Sequence, residues 1–92
     1  MRYVIAYDVD NDDARARLAR RIARHGVRIQ YSVFDCEVDD RDNLDELIDD
    51  MAEIVDEADA SVGVFPQCAT CLNRRYWLGP PPEVMDAIVY IV

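Results

Sequence analysis

An α+β sandwich, with two helices laid on one face of an antiparallel sheet, is the fold class that this sequence predicts. Three observations carry the prediction. Short apolar runs of strand type occur at Tyr3–Tyr7, within 27–38 and at Ser61–Phe65, and the two stretches between them show helical periodicity instead. Of the 92 residues, 51% are apolar, enough for one two-layer core but not for separate cofactor and catalytic domains. No apolar run approaches the ~20 residues that span a bilayer, and with three Gly and four Pro the chain is not of low complexity.

Tyr3-Val4-Ile5-Ala6-Tyr7 is too short for a helix and rich in aromatic and β-branched side chains, so it reads as a buried central strand with Asp8 at its C-terminal end. Asp10, Asn11, Asp12 and Asp13 offer helix N-caps. Ala14, Leu18, Ile22 and His25 then recur at helical spacing until Gly26 supplies a C-cap, which predicts a first helix over 11–25. Arg17, Arg20, Arg21 and Arg24 fall on its opposite face. From Val27, Ile29, Tyr31 and Val33 alternate on one side, and the phase then slips to Phe34, Cys36 and Val38. A slip of one residue reverses the face, so this segment is either one bulged strand or two strands broken near Tyr31-Ser32. Leu44, Leu47, Ile48, Met51, Ile54, Val55 and Ala58 trace one stripe and predict a second helix over 41–58. Ser61–Phe65 is a further strand, stopped by Pro66.

If the middle segment supplies two strands, the order becomes βαββαβ, that of the ferredoxin-like fold. Beyond residue 66 come a Cys-x-x-Cys turn, a short strand over Arg75–Leu78, the spacer Gly79-Pro80-Pro81-Pro82 and an apolar strand over Ala87–Val92. An apolar terminal strand on so small a domain needs an edge to cover it, and a partner subunit's sheet offers one. The expected organisation is a ferredoxin-like domain over 1–78 and a proline-led strand over 79–92 that pairs with the partner of a homodimer. The first residues lack the apolar stretch and cleavage site of a signal peptide, so export by that route is not expected and a cytoplasmic location is.

The formal charge is -9, from 19 acids against 10 bases, and every base is Arg. An acidic surface without Lys fits solubility at high ionic strength, and fits equally a GC-rich genome that favours Arg codons. Position is more informative than the sum. Residues 14–34 hold six arginines and no acid, whereas residues 35–59 hold thirteen acids against Arg41 alone. One face could therefore attract a polyanion despite the overall acidity, although a solvated helix face would look the same.

Asp8 is the first candidate for chemistry, because strand ends expose side chains where ligands approach. Mg²⁺ takes one or two carboxylates and completes its octahedron with water and phosphate, so two copies of Asp8 across a dimer axis would hold it. The alternative role is capping the first helix. No Gly-rich phosphate loop, metalloprotease helix or Ser/His/Asp set occurs, and His25 is the only His. Cys68-Ala69-Thr70-Cys71 has the spacing of zinc ligands or a redox pair. A closed zinc site would have to be shared between subunits, and two reduced thiols in a packed turn is the simpler reading. Cys36, on the apolar side of its strand, reads as a core thiol. Tyr7, Tyr31, Phe34 and Trp77 read as core or interface residues, with base stacking as the alternative.

Taken together, Tyr3-Val4-Ile5-Ala6-Tyr7-Asp8-Val9, the Asp-rich turn, the Arg-rich helix and above all the stretch from Gly26 to Cys36 resemble the small CRISPR-associated nucleases of the spacer-acquisition machinery, the Cas two family. The resemblance covers essentially the whole chain. It implies a ferredoxin-like homodimer and a Mg²⁺ (or Mn²⁺) site made by Asp8 of both subunits as the catalytic centre. It also implies a place beside the CRISPR integrase, and nucleic-acid contacts at Tyr7, Arg15, Arg17, Arg28 and Phe34. The implied reaction is metal-assisted phosphodiester hydrolysis of single-stranded RNA or duplex DNA. Two departures concern phosphate contact: Asp35 stands where the family usually carries a longer acidic side chain, and Ala or Arg stands where many relatives have Lys on the first helix. A single carboxylate per subunit also suits a non-catalytic DNA-bridging scaffold of the integrase complex. A stand-alone ribonuclease and a ligand-binding regulatory domain are the readings from other classes.

Overall fold

In the computed structural model, which describes residues 1–76, Leu78 and Gly79, the elements run β1 (Arg2–Asp8), α1 (Asp12–Ile22), β2 (Gly26–Gln30), β3 (Val33–Glu37), α2 (Arg41–Ala58), β4 (Ser61–Gln67) and a single helical turn, α3 (Ala69–Leu72). The four strands form one sheet of order β2-β3-β1-β4 in which all neighbours are antiparallel. This is the ferredoxin-like βαββαβ arrangement that the alternation of periods predicts. The expected strand over Ala87–Val92 and its pairing with a partner lie outside the described residues, as does Trp77.

β1 sets the faces of the sheet. Tyr3, Ile5 and Tyr7 are buried and alternate with the partly covered Arg2, Val4 and Ala6, until exposed Asp8 ends the strand. Ile5 stands opposite Phe34 of β3 and Val64 of β4, so one face gathers these side chains against Leu18 and Ile22 of α1 and Leu47 and Ile54 of α2. The other face carries Val4, Ala6, Val27, Val33 and Phe65, all at least partly accessible, around a buried Asp35.

Helix α1 starts at N-cap Asn11, whose side chain accepts the Ala14 N–H, and it ends three residues earlier than the spacing of His25 suggests. Gly26 is not a cap but the first residue of β2. The His25 carbonyl accepts the Glu37 N–H at 2.8 Å, and strand pairing therefore draws this residue out of the helix. Helix α2 has the expected bounds, opened by Asp40, which accepts the Asn43 N–H, and closed by Asp59 at φ 51°. Asp tolerates this left-handed conformation better than most residues. The apolar stripe of α2 is wider than the face it packs. Leu44, Leu47, Met51 and Ile54 are buried, whereas Ile48 is exposed and borders an open groove with Val55, Val62 and Val64.

The phase slip in the middle segment has two causes, and the alternatives read from the sequence both contribute. The chain turns at Tyr31-Ser32, and the β2–β3 register also shifts between Arg28 and Gln30, leaving Ile29 as the extra residue of a bulge. Pro66 does not stop β4, which continues to Gln67 with Pro66 opposite Tyr3. β4 is the edge strand of the described sheet, where a missing N–H can face away from the neighbour. Arg75 and Tyr76, expected to open a short strand, belong to none. Among the described residues, no helix is long and apolar enough to cross a membrane.

Gly26 stands opposite Cys36, and a Cβ there would collide with the backbone of Asp35 and Cys36. Gly26→Ala should therefore push β2 off the sheet and cost about 1–3 kcal/mol, read as a lower urea midpoint than wild type.

Candidate functional site

Antiparallel pairing brings one set of residues to the C-terminal end of β1. Asp8 lies opposite Ser61 of β4, the Tyr7 N–H donates to the Ser32 carbonyl at 3.0 Å, and the N-terminus of α1 follows four residues after Asp8. Among the described residues the Asp8 carboxylate makes no hydrogen bond or ion pair. Asn11 caps α1, so Asp8 is not occupied by capping. His25 sits at the other end of the sheet, beside Glu37, and brings no general base to Asp8.

The arginines divide by their partners. α1 packs beside α2, and the acids of α2 neutralise part of its charge. Arg17 donates to Glu57 at 2.8 Å and Arg21 stands 3.3 Å from Asp50, while Arg15 pairs with Asp12 within its own helix. The hydrogen bond to Glu57 and its charge hold the Arg17 guanidinium above its ordinary pKa. Arg20, Arg24 and Arg28 are exposed and have no ion pair among the described residues. Arg20 and Arg28 line adjoining clefts along the edge between α1 and β2, whereas Arg24 opens toward α2 beside Asn43 and Glu46. One of about 360 Å³ is bordered by Arg20, Arg28 and Phe34, and another of about 230 Å³ by Tyr7, Arg15, Arg28 and Tyr31.

Tyr7 and Phe34, read from the sequence as core or interface residues and given nucleic-acid contacts by the family resemblance, lie in the core at 5% and 2% exposure, their ring centroids 6.3 Å apart. Phe34 acts as a platform: the Arg28 guanidinium carbon lies 5.3 Å from its ring centre, a cation–π distance that holds Arg28 over the sheet edge. The Tyr7 hydroxyl is buried without a hydrogen-bond partner among the described residues. Tyr31, by contrast, is 92% exposed at the hairpin turn beside the second cleft. Of the residues expected to meet nucleic acid, Arg28 is exposed and unpaired, Arg15 and Arg17 are paired, and Tyr7 and Phe34 support from beneath. Sequence reasoning placed Arg20 and Arg24 on the polar face of α1 but did not single them out. Helical spacing gives the face, and only the position of the α2 acids decides which cations stay free.

A further feature was hidden in the acidic run. Asp35 is 1% exposed on the outer face of the sheet, where Arg75 Nη1 donates to its Oδ2 at 3.1 Å and Arg2 Nε stands 4.0 Å from its Oδ1. Unlike the surface acids that follow, it is a buried charge held by an arginine 40 residues away. Cys36 beside it is fully buried, as its strand position predicts, and burial pushes its thiol up to about 12. Cys68 and Cys71 are exposed rather than packed.

Among the described residues no three His, Cys, Asp or Glu side chains gather to hold a metal ion. Asp8 thus stands at the sheet end as a carboxylate unpaired among the described residues, within what Mg²⁺ accepts only if a second copy or a phosphate supplies more oxygens. The fold and this end of the sheet together define a small ferredoxin-like domain with an arginine-lined edge and an unpaired carboxylate. The chain belongs to the family of CRISPR associated protein Cas2, whose model matches residues 1–75. A CRISPR-associated endoribonuclease Cas2 of Rhodospirillum rubrum is 33% identical over 82 residues, covering 89% of this chain and 65% of that protein. Another, from Methanospirillum hungatei, is 31% identical and covers 97% of this chain and 99% of its own length. Among solved structures, a chain of a partial Cas6-RT-Cas1–Cas2 complex superposes with a TM-score of 0.72 at 23% identity, covering 80% of each chain.

The displaced Cys36 thiol has a measurable consequence. Burial lifts its folded pKa above the ordinary thiol value, so its stabilising contribution is complete below about pH 9 and is lost as pH rises toward about 12. Chemical denaturation at stepped alkaline pH should show stability falling more steeply in wild type than in Cys36→Ala; equal slopes would contradict the burial of the thiol.

Proposed function

We propose that this chain is a metal-dependent endonuclease, cutting single-stranded RNA or duplex DNA, that takes part in CRISPR spacer acquisition as a cytoplasmic homodimer beside the integrase. The observation that carries this reading is Asp8, an exposed carboxylate at the end of the central strand that has no partner among the described residues, next to an edge of arginines equally unpaired among them. Family membership supports the activity, since relatives carry the name endoribonuclease. The integrase partnership is supported by the complex in which a chain of this fold occurs.

A second copy is needed on chemical grounds. Asp8 alone gives a divalent ion too few anionic oxygens, and the outer face of the sheet offers Val4, Ala6, Val33 and half-exposed Phe65 as an apolar surface for another subunit. Mg²⁺ or Mn²⁺ held by Asp8 of both subunits supplies charge neutralisation at the scissile phosphate. The chain's own residues do the rest. Arg28, fixed over Phe34, and Arg20 and Arg24 along α1 hold the phosphodiester backbone, and exposed Tyr31 offers a ring on which a base can stack.

The absence of His25 from this end of the sheet favours a second reading. Without a general base near Asp8, the same dimer would serve as a DNA-bridging scaffold gripped by its arginines, and Asp8 would do no chemistry.

Cleavage of labelled single-stranded RNA and short duplex DNA separates the two. Cutting that needs Mg²⁺, stops with EDTA and falls roughly 100-fold or more in Asp8→Ala, about 2.7 kcal/mol of barrier, is the expected result. A folded dimer that cuts neither substrate, or an Asp8→Ala variant that cuts as well as wild type, would establish the scaffold instead. Binding distinguishes the arginines: Arg28→Ala or Arg20→Ala should flatten the plot of log affinity against log salt by about 0.7–0.9 per lost contact. Arg17→Ala, whose guanidinium is already held by Glu57, should change that slope less.

A further inference from the structure

Cys68 precedes the helical turn α3 and Cys71 lies within it, both exposed, with their sulfurs 3.4 Å apart. The pair is oriented rather than merely close. Cys68 is the N-cap of the turn, and its Sγ accepts the Cys71 backbone N–H at 3.4 Å. That hydrogen bond and the one from the Cys71 thiol lower the pKa of Cys68, favouring the thiolate that attacks disulfides.

A metal would need further ligands, and among the described residues no third His, Cys, Asp or Glu joins the pair. A disulfide needs only these two atoms. Its bond length of about 2.05 Å requires the sulfurs to approach by roughly 1.4 Å, a rotamer adjustment open to exposed side chains.

The turn also has a mechanical position. β4 ends at Gln67, paired with Arg2, and Arg75, three residues past α3, reaches buried Asp35 at 3.1 Å. α3 is therefore the covalent link between the sheet edge and the ion pair that ties the following segment to the outer face. We propose that Cys68 and Cys71 are a reversible dithiol–disulfide pair, oxidised by small-molecule disulfides, and that the disulfide form clamps α3 and so holds Arg75 on Asp35.

The chemistry balances in two exchanges. The Cys68 thiolate attacks one sulfur of the reagent, forming a mixed disulfide and expelling one thiolate. Cys71 gives up its proton, attacks Sγ of Cys68 and expels the second thiolate, which takes a proton. Two protein thiols become one disulfide, and the reagent disulfide becomes two thiols.

The test equilibrates the full chain with graded ratios of reduced and oxidised glutathione at about pH 8, alkylates the remaining thiols after denaturation and weighs the products. Chains with three free thiols should convert to chains with only Cys36 free, with no stable glutathione adduct and no cross-linked dimer. Cys71→Ser should instead accumulate glutathione on Cys68. Persistent adducts on wild type, cross-links between chains, or resistance at every ratio would overturn the pair. So would zinc bound at one ion per two chains with thiols that then resist oxidised glutathione. For the clamp, trypsin should cut after Arg74 and Arg75 more slowly in the oxidised than in the reduced protein, by roughly threefold or more. The double variant Cys68→Ser/Cys71→Ser, which keeps an N-cap oxygen, should show no such dependence. Equal rates in the two wild-type forms would overturn the clamp.

Discussion

The register of β1 between β3 and β4 is the constraint on which the rest of the structure depends. Side chains alternate along a strand, so pairing Ile5 with Phe34 and Val64 commits Tyr3 and Tyr7 to the helical face and Asp8 to the open end. A shift by one residue would send Tyr3, Ile5 and Tyr7 to the outer face, stripping the core of three large side chains. The same register brings the Tyr31-Ser32 turn against Tyr7 and aligns Arg28 over Phe34. The placement of the carboxylate and the exposure of the arginine edge are thus consequences of how the core is filled.

Charge is distributed by the same packing. The arginine helix and the acidic helix lie side by side, and their facing residues pair, Arg17 with Glu57 and Arg21 with Asp50. These surface pairs contribute little to stability. Their effect is to sort the cations: Arg17 and Arg21 are neutralised by α2, and Arg20 and Arg28, on the side of β2, have no ion pair among the described residues and remain available to a polyanion. A chain of net charge -9 can therefore present a local cationic strip, with the acids of α2 on the far side directing an anionic ligand toward it.

Asp35 and the cysteines show a second level of organisation on the outer face. A carboxylate taken out of water is costly unless paired, and removing one partner of such a pair leaves the other stranded. Arg75 supplies the partner from beyond α3, so the position of the chain after β4 is specified electrostatically as well as by the sheet. The outer face consequently combines an apolar surface with a buried carboxylate held by Arg75 and approached by Arg2.

Local pattern was enough to determine the two helices and the central strand, with Tyr3–Tyr7 read as one buried run, because helical and strand periods are properties of neighbouring residues. Which of its side chains face the helices was set by the sheet. The strongly periodic α2 was legible to its bounds. The last turn expected of α1 was not, since the pull of Glu37 on the His25 carbonyl comes from a strand twelve residues away. Pro66 looked like a terminator because its tolerance depends on β4 being an edge, a fact of sheet order rather than of sequence. Asp8 was legible as a candidate from its place at a strand end. That Asn11 rather than Asp8 caps the helix, that Arg28 lies over the buried Phe34 ring, and that Arg20 and Arg24 stay unpaired among the described residues while Arg17 is neutralised were decided only by the tertiary structure. Burial and ion pairing are relations between elements distant in the chain, and they become fixed only when those elements pack.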